Sequence, residues 1–243
     1  MRHEDYISGG KVVKVILLLC LVGLVFGAYI VDQPDAARGK DNYMDMNNPS
    51  FNNGARVYFS IGYGLSRMRT LIQFDTLSII PVSSIIDSAK ITYIKGSTSA
   101  GSMLVQTACI LRDWGEGNKI KSVARTGESS WNCWALPSTW TSGGCGGIGT
   151  DRTASLDSQV VSGDDPLVMY VTSCVQNIVT TGINYGIIHH NTTGIVTTRW
   201  WGFASDYAIA LKRPKLEVWY PDVPADGVEA IYYSTPLGIR RGR

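Results

Sequence analysis

The sequence predicts an all-β protein: an antiparallel β-sandwich of jelly-roll type, with one short helix and a long irregular loop rich in Trp and Gly. Three observations carry this. Apolar and polar residues alternate with a period of two in one segment after another. Pro81, Pro137, Pro166, Pro214 and Pro221 fall between those segments or at their ends, as suits a residue that cannot donate to a ladder. The composition, 44% hydrophobic and 17% charged with 26 glycines in 243 residues, suits strands and turns rather than helices or a disordered chain.

The elements follow in order. Lys11 and Lys14 precede an apolar run from Val15 to Phe26, and small residues place a cut before Ala28. Residues 1–27 therefore read as a secretory signal peptide or, if uncut, an N-terminal membrane anchor. Either reading puts the protein outside the cell or on its surface, with membrane contact only if the segment is uncleaved. Ala28 to Val31 is the first strand, ended by Pro34 and Asp35. Arg56 to Ile61, Arg69 to Phe74, Leu167 to Val171 and Gly186 to His190 are further strands. In "SAKITYIKG", Ala89, Ile91 and Tyr93 share a face, and in "MLVQTACIL" Met103, Val105, Thr107, Cys109 and Leu111 do. In "KLEVWY", Leu216, Val218 and Tyr220 oppose Lys215, Glu217 and Trp219. Ser173 and Gln176 fit a capping box for the one helix, whose apolar stripe is Val175, Ile178 and Val179 and whose stop is Gly182. The domain spans residues 28–221, and residues 222–243 form a tail or linker with the basic end Arg240-Arg241-Gly242-Arg243.

Net charge is +2, which leaves no electrostatic footprint for nucleic acid. Cys20 lies in the apolar leader, and four cysteines follow it. Three disulfide connectivities are open to four cysteines. Cys133–Cys145 would close the Trp-rich loop and Cys109–Cys174 would be the other pair; buried free thiols are the alternative for the latter. His189 and His190 are adjacent on a strand, point apart and cannot easily chelate one ion, so no metal site is expected. Asp164-Asp165 is a solvated turn that could at most help hold a structural calcium, and no cofactor is expected. Asn191-Thr192-Thr193 is a glycosylation sequon. No nucleophile elbow, His-Glu-x-x-His or phosphate loop occurs, and nothing selects a carboxylate pair from Asp113, Glu116 and Glu128, so no enzymatic activity is expected.

"WNCWALPSTW", residues 131–140, gathers three indoles in a stretch with no helical or strand period. Indole faces pack against the C–H faces of sugars, so Trp134 and Trp140, with Trp131 beside them, are candidate ligand residues. Arg125, Glu128 and Arg152 are close enough in sequence to supply polar contacts, Arg suiting a carboxylated sugar. The alternative is that these indoles cap a core. Trp200 and Trp201 lie in a strand-like stretch and point to opposite faces, one toward the core and the other toward a ligand or interface.

"GKDNYMDMNNPSFNNGARVYFSIG", "RTLIQFDTLSIIPVSSIIDSAKITY", "RDWGEG", "SSWN" and "RPKLEVWY" occur in that order over residues 29–221. The set resembles the DNRLRE domain, which is related to the disaggregatase repeat and to carbohydrate-binding module family 96. The resemblance implies a β-sandwich on an extracellular protein and binding of polysaccharide, including acidic ones. It also implies that Trp114 and Trp131 fill places in the family pattern and cap the core. The function expected is a non-catalytic module that binds an extracellular or cell-wall polysaccharide. The alternative is a structural or adhesive surface or virion component that self-associates, with the Trp loop as assembly contact.

Overall fold

The computed structural model describes residues 27–63, 66–98, 102–161, 166–191 and 198–221. Residues 1–26 of the expected export segment, Asp164-Asp165, the threonines of the sequon and the basic tail lie outside them. In chain order the strands are β1 Gly27–Asp32, β2 Gly39–Asp45, β3 Phe51–Asn52, β4 Tyr58–Tyr63, β5 Arg67–Phe74, β6 Ser88–Tyr93, β7 Lys95–Thr98, β8 Met103–Cys109, β9 Ser122–Val123, β10 Cys133–Ala135, β11 Ser138–Thr139, β12 Asp157–Val161 and β13 Leu167–Tyr170. The helix α1, Thr172–Thr181, precedes β14 Ile187–Asn191, β15 Arg199–Phe203 and β16 Lys215–Pro221. The fold is mostly β with one short helix, as the alternation requires. Among the described residues no helix is long and apolar enough to cross a membrane.

A four-stranded antiparallel sheet has the order β1-β16-β6-β13. Leu216, Ile91 and Met169 stand opposite one another across β16, β6 and β13, and all three are fully buried. Their strand neighbours Lys215, Lys90, Glu217 and Tyr170 occupy the other face. Burial of each large apolar side chain contributes about 1.5–3 kcal/mol, so this one-sided pattern sets which face turns inward.

The second sheet has eight strands and curls into a half-barrel. Its curl starts at β5. β2 pairs along one edge of that strand over Met68–Phe74, while β14 and β4 share the other edge end to end, opposite Thr70–Ile72 and Arg67–Met68. From this fork β14, β8 and β12 run one way and β4, β15 and β7 the other. The row Ile72, Ile187, Cys109 faces the four-stranded sheet, where Phe59, Ile61, Trp200, Tyr93 and α1 complete the main core. The adjacent row Leu71, Ile188, Ala108 faces the opposite way and is equally buried.

That second apolar face is covered by residues 111–153, the long loop. Trp114, Trp131, Trp140 and Cys145 pack there on Met44, Leu71, Ile110 and Ile188. The loop is pinned by hydrogen bonds: the buried Asp151 carboxylate accepts from the backbone N–H groups of Thr141, Ser142 and Gly147 at 2.8–3.0 Å, and Asn42 donates to Ser129 Oγ at 2.8 Å. Neither expected disulfide, Cys133–Cys145 or Cys109–Cys174, is formed: all four cysteines are buried free thiols, which for Cys109 and Cys174 is the alternative expectation. Cys145 points into the indole cluster, and Cys133 on β10 is not part of it.

The helix stops at Gly182 in the left-handed region, as expected, but the capping box is not used. Gln176 instead bonds Ile86 N and Ser84 O, tying the helix to the turn before β6. The free N–H groups of Ser173 and Cys174 meet the Asp157 carboxylate of β12, a favourable anion at a helix N-terminus.

Two buried histidines, the buried Asp41 and the half-buried Glu116 set the pH response. His189 bridges the sheets, its ring nitrogens contacting Tyr93 Oη at 2.8 Å and Thr107 Oγ1 at 2.9 Å. His190, pointing the other way, contacts Ser155 Oγ at 3.3 Å. Burial pushes both imidazoles down to about 3, with the Arg152 and Arg69 guanidiniums adding to the effect at His190. Asp41 accepts from Ser205 N and Oγ, and burial pushes it up to about 7; Glu116 accepts from Asp41 N, and burial pushes it up to about 8. The histidines stabilise the fold above their unfolded value of about 6.5, and that stability is lost as pH falls toward 3. The carboxylates stabilise it below about 4, and that stability is lost as pH rises through 7 and 8. The two pairs therefore offset one another between roughly pH 4.5 and 6.5. Urea midpoints should form a plateau there and fall on both sides, with a shallower alkaline fall in Asp41→Asn. Midpoints that keep rising to pH 8 would contradict this account.

Candidate functional site

The structure brings together a different set of aromatic residues from the one the loop suggested. A cavity of about 530 Å³ opens where β2, β4, β5 and β15 meet the turn between β2 and β3. Its walls are rings and cations: Tyr43, Tyr58, Phe51 and Trp201 with Arg56, Arg199 and Lys121. Gly62 makes this meeting possible. Its φ is +122°, and a Cβ there would lie 2.4 Å from Thr198 O, so only glycine lets β4 turn from β15 toward β5.

The side chains are held before any ligand arrives. Arg56 donates through Nη1 to Tyr43 Oη and sits 5.3 Å from the Tyr43 ring centre. The Arg199 guanidinium stacks 4.2 Å over the Trp201 ring. Tyr58 packs on Phe203 with centroids 5.1 Å apart. Asp45 is the pocket's one carboxylate, and it accepts from Ser66 Oγ, Asn47 N at 3.0 Å and Asn48 Nδ2 at 2.9 Å. Asn53 donates to Tyr43 O at 2.9 Å. Burial raises the Tyr43 phenol and lowers the Arg199 guanidinium. Chemically the cavity offers ring faces for C–H groups, and guanidinium, ammonium and amide donors for hydroxyl or carboxylate oxygens.

The residues expected from the loop lie elsewhere, none of them on the cavity wall. Trp131 is 9% exposed and Trp140 4%, so neither presents a face to a ligand. Trp131 packs against Arg69, which donates to Gly144 O, and Trp140 donates to Ser130 O at 2.9 Å. Trp134 is half-buried against the same cluster. Arg152 is buried and donates to Thr153 O. Glu128 pairs with Lys119 and accepts from Arg125 N at 2.7 Å, closing its own turn, while the Arg125 side chain is exposed. Glu116 accepts from Asp41 N at 2.7 Å, and Asp113 pairs with Lys40 at 3.5 Å. Trp200 and Trp201 do split as their adjacency on a strand requires: Trp200 is fully buried, and Trp201 lines the cavity. Sequence reasoning missed Tyr43, Arg56, Tyr58, Lys121 and Arg199. The available signal was the position of Trp201 and Arg199 two apart on one strand face. Asn191 of the sequon is buried in β14. Among the described residues no group of three His, Cys, Asp or Glu is placed to hold a metal ion.

In comparisons with known proteins, no family model matches this chain and no curated protein matches it.

The loop indoles are thus part of the second core, and Trp140→Ala should act through stability. Removing a buried indole costs about 3–5 kcal/mol. Urea unfolding of Trp140→Ala should show that loss, and a change below about 1 kcal/mol would return Trp140 to the surface as a candidate ligand residue.

Proposed function

We propose that the chain is a non-catalytic carbohydrate-binding module of an extracellular or surface protein, and that it grips an extracellular or cell-wall polysaccharide in the Trp201 cavity. The observation that carries the reading is the pairing of an aromatic wall, Trp201 with Tyr58 and Tyr43, with cationic and amide donors in one pre-ordered cleft. Sugars present both a C–H face and a ring of hydroxyls, and this lining matches both. The single carboxylate, engaged by three hydrogen bonds, supports binding without hydrolysis, since glycosidases need two. The ordered motifs that resemble the DNRLRE domain point the same way, and with them we carry the jelly-roll form of the sandwich as part of the proposal.

A second reading, a self-associating structural or adhesive component, is favoured by a different observation. Ile79, Val82 and Ile85 are exposed along the stretch from the 3-10 turn to β6, and Ile183 is exposed just after the helix, where a Cβ added at Gly182 would come within 3.7 Å of Val82. Sedimentation of the purified protein separates the readings: a monomer supports the first and a concentration-dependent oligomer the second.

Titration calorimetry against a panel of neutral and acidic glycans should detect binding. Trp201→Ala should weaken it about 30-fold or more, since a stacked Trp at a site centre contributes roughly 2 kcal/mol. Trp134→Ala should leave affinity unchanged. No binding to any glycan by the folded protein would overturn the reading, and loss in Trp134→Ala alone would move the site to the loop.

A further inference from the structure

Cys109 ends β8 and Cys174 lies in the first turn of α1, 65 residues later. Their sulfurs are 2.8 Å apart and buried in the main core, and Cys109 Sγ also lies 3.3 Å from Cys174 O. Two sulfurs that close are already inside van der Waals contact, and less than about 1 Å separates them from the disulfide length of about 2.05 Å. The other two thiols have different company. Cys145 Sγ faces Asp151 O at 3.5 Å among the indoles, and Cys133 sits on β10 with its N–H toward Ser130 Oγ. We propose that Cys109 and Cys174 are a modification site, a disulfide clamp between the half-barrel and the helix, and that Cys133 and Cys145 remain thiols.

The oxidant is a small-molecule disulfide of the glutathione type, as found in oxidising compartments. One cysteine thiolate attacks a sulfur of the oxidant, forming a mixed disulfide and releasing one small thiolate. The second cysteine thiolate attacks the protein sulfur of that mixed disulfide and releases the other. The cysteines lose two electrons and two protons; the oxidant gains both and leaves as two thiols. Within the fold neither sulfur is reachable by such an oxidant, and burial pushes the Cys174 thiol up, away from the reactive thiolate. The bond therefore closes while the chain folds, and is then shielded from reduction.

The test uses the full chain, reduced and unfolded, then refolded in a buffer of oxidised and reduced glutathione. After acid quenching, the protein is denatured without reductant, alkylated and mapped by peptide mass. The expected result is label on Cys133 and Cys145, and Cys109 and Cys174 recovered as one linked peptide pair. Folded, reduced protein placed in the same buffer should gain that link far more slowly. In the Cys133→Ser/Cys145→Ser variant, reductant present during refolding should lower the melting temperature by about 10 °C, because the clamp closes a long loop. Label on both Cys109 and Cys174 after oxidative refolding, or a link from either to Cys133 or Cys145, would overturn the proposal. The readout does not depend on glycan binding, so its failure and that of the proposed function are separate.

Discussion

The eight-stranded sheet is apolar on both faces, and every other feature of the molecule answers that constraint. A one-sided sheet needs one cover. This one needs two, because Ile72 and Ile187 point one way while their neighbours Leu71 and Ile188 point the other, all out of water. The four-stranded sheet and α1 supply the first cover. Among the described residues the other face is covered by the largely irregular segment 111–153, whose only regular pieces are the short strands β9, β10 and β11. A loop can bury apolar area on that scale only with large side chains and with its own polar backbone satisfied. The three indoles and the Asp151, Asn42 and Asn52 hydrogen bonds meet those two needs.

The same constraint redistributes the aromatic residues available for recognition. Trp114, Trp131 and Trp140 are spent on the second core. Tyr29 and Tyr170 stay exposed on the four-stranded sheet, while Tyr58 and Trp201 lie beyond both covers, where β4 and β15 diverge from β14 at the fork in β5. There a cavity is lined by side chains from β2, β4, β5 and β15 together with residues of the neighbouring turns, among them Asn48, Arg56 and Lys121. Strand residues are placed more precisely than loop residues, which favours Arg199 and Trp201 on β15, and Arg56 and Arg199 each lie over a ring.

Much of the fold was legible because period two is a local signal. Ala89, Ile91 and Tyr93, or Leu216 and Val218, declare their face within six residues. Adjacent Trp200 and Trp201 had to part for the same reason. What local sequence does not carry is whether the opposite face is also covered. The stretch Ile187–Asn191 is buried at every position, and its two histidines are core residues on opposite faces, a fact set by partners far away in sequence. The Trp loop left two readings open on the same account: the irregular spacing of a patch fitted to a distant sheet, where the structure places Trp131 and Trp140, resembles the spacing of a binding surface. The helix cap failed similarly, since Gln176 found a better partner in the turn before β6 and the cap came from Asp157 on another strand. The cavity could not be read because Tyr43, Arg56, Lys121 and Arg199 meet only after the half-barrel closes.

The two cores and the cavity are nevertheless not independent. Asn42 donates to Ser129 in the loop, and its own Oδ1 accepts from Asn53 N at 3.1 Å; Asn53 then holds Tyr43 O at the cavity wall. Asn132, beside Trp131, donates its N–H to Pro49 O in the turn that rims the cavity. These bonds run from the indole cluster to the cavity through backbone groups and short amides, which transmit position and offer little slack. If the cavity binds as proposed, Trp131 and Trp140 would contribute to recognition without touching a ligand, by keeping the turn between β2 and β3 in register with β15. A substitution that loosens the second core would weaken binding only as far as it loosens that turn, so losses of affinity and of stability at these positions must rise together. At the cavity wall they need not, and that difference in covariation separates a supporting indole from a contacting one.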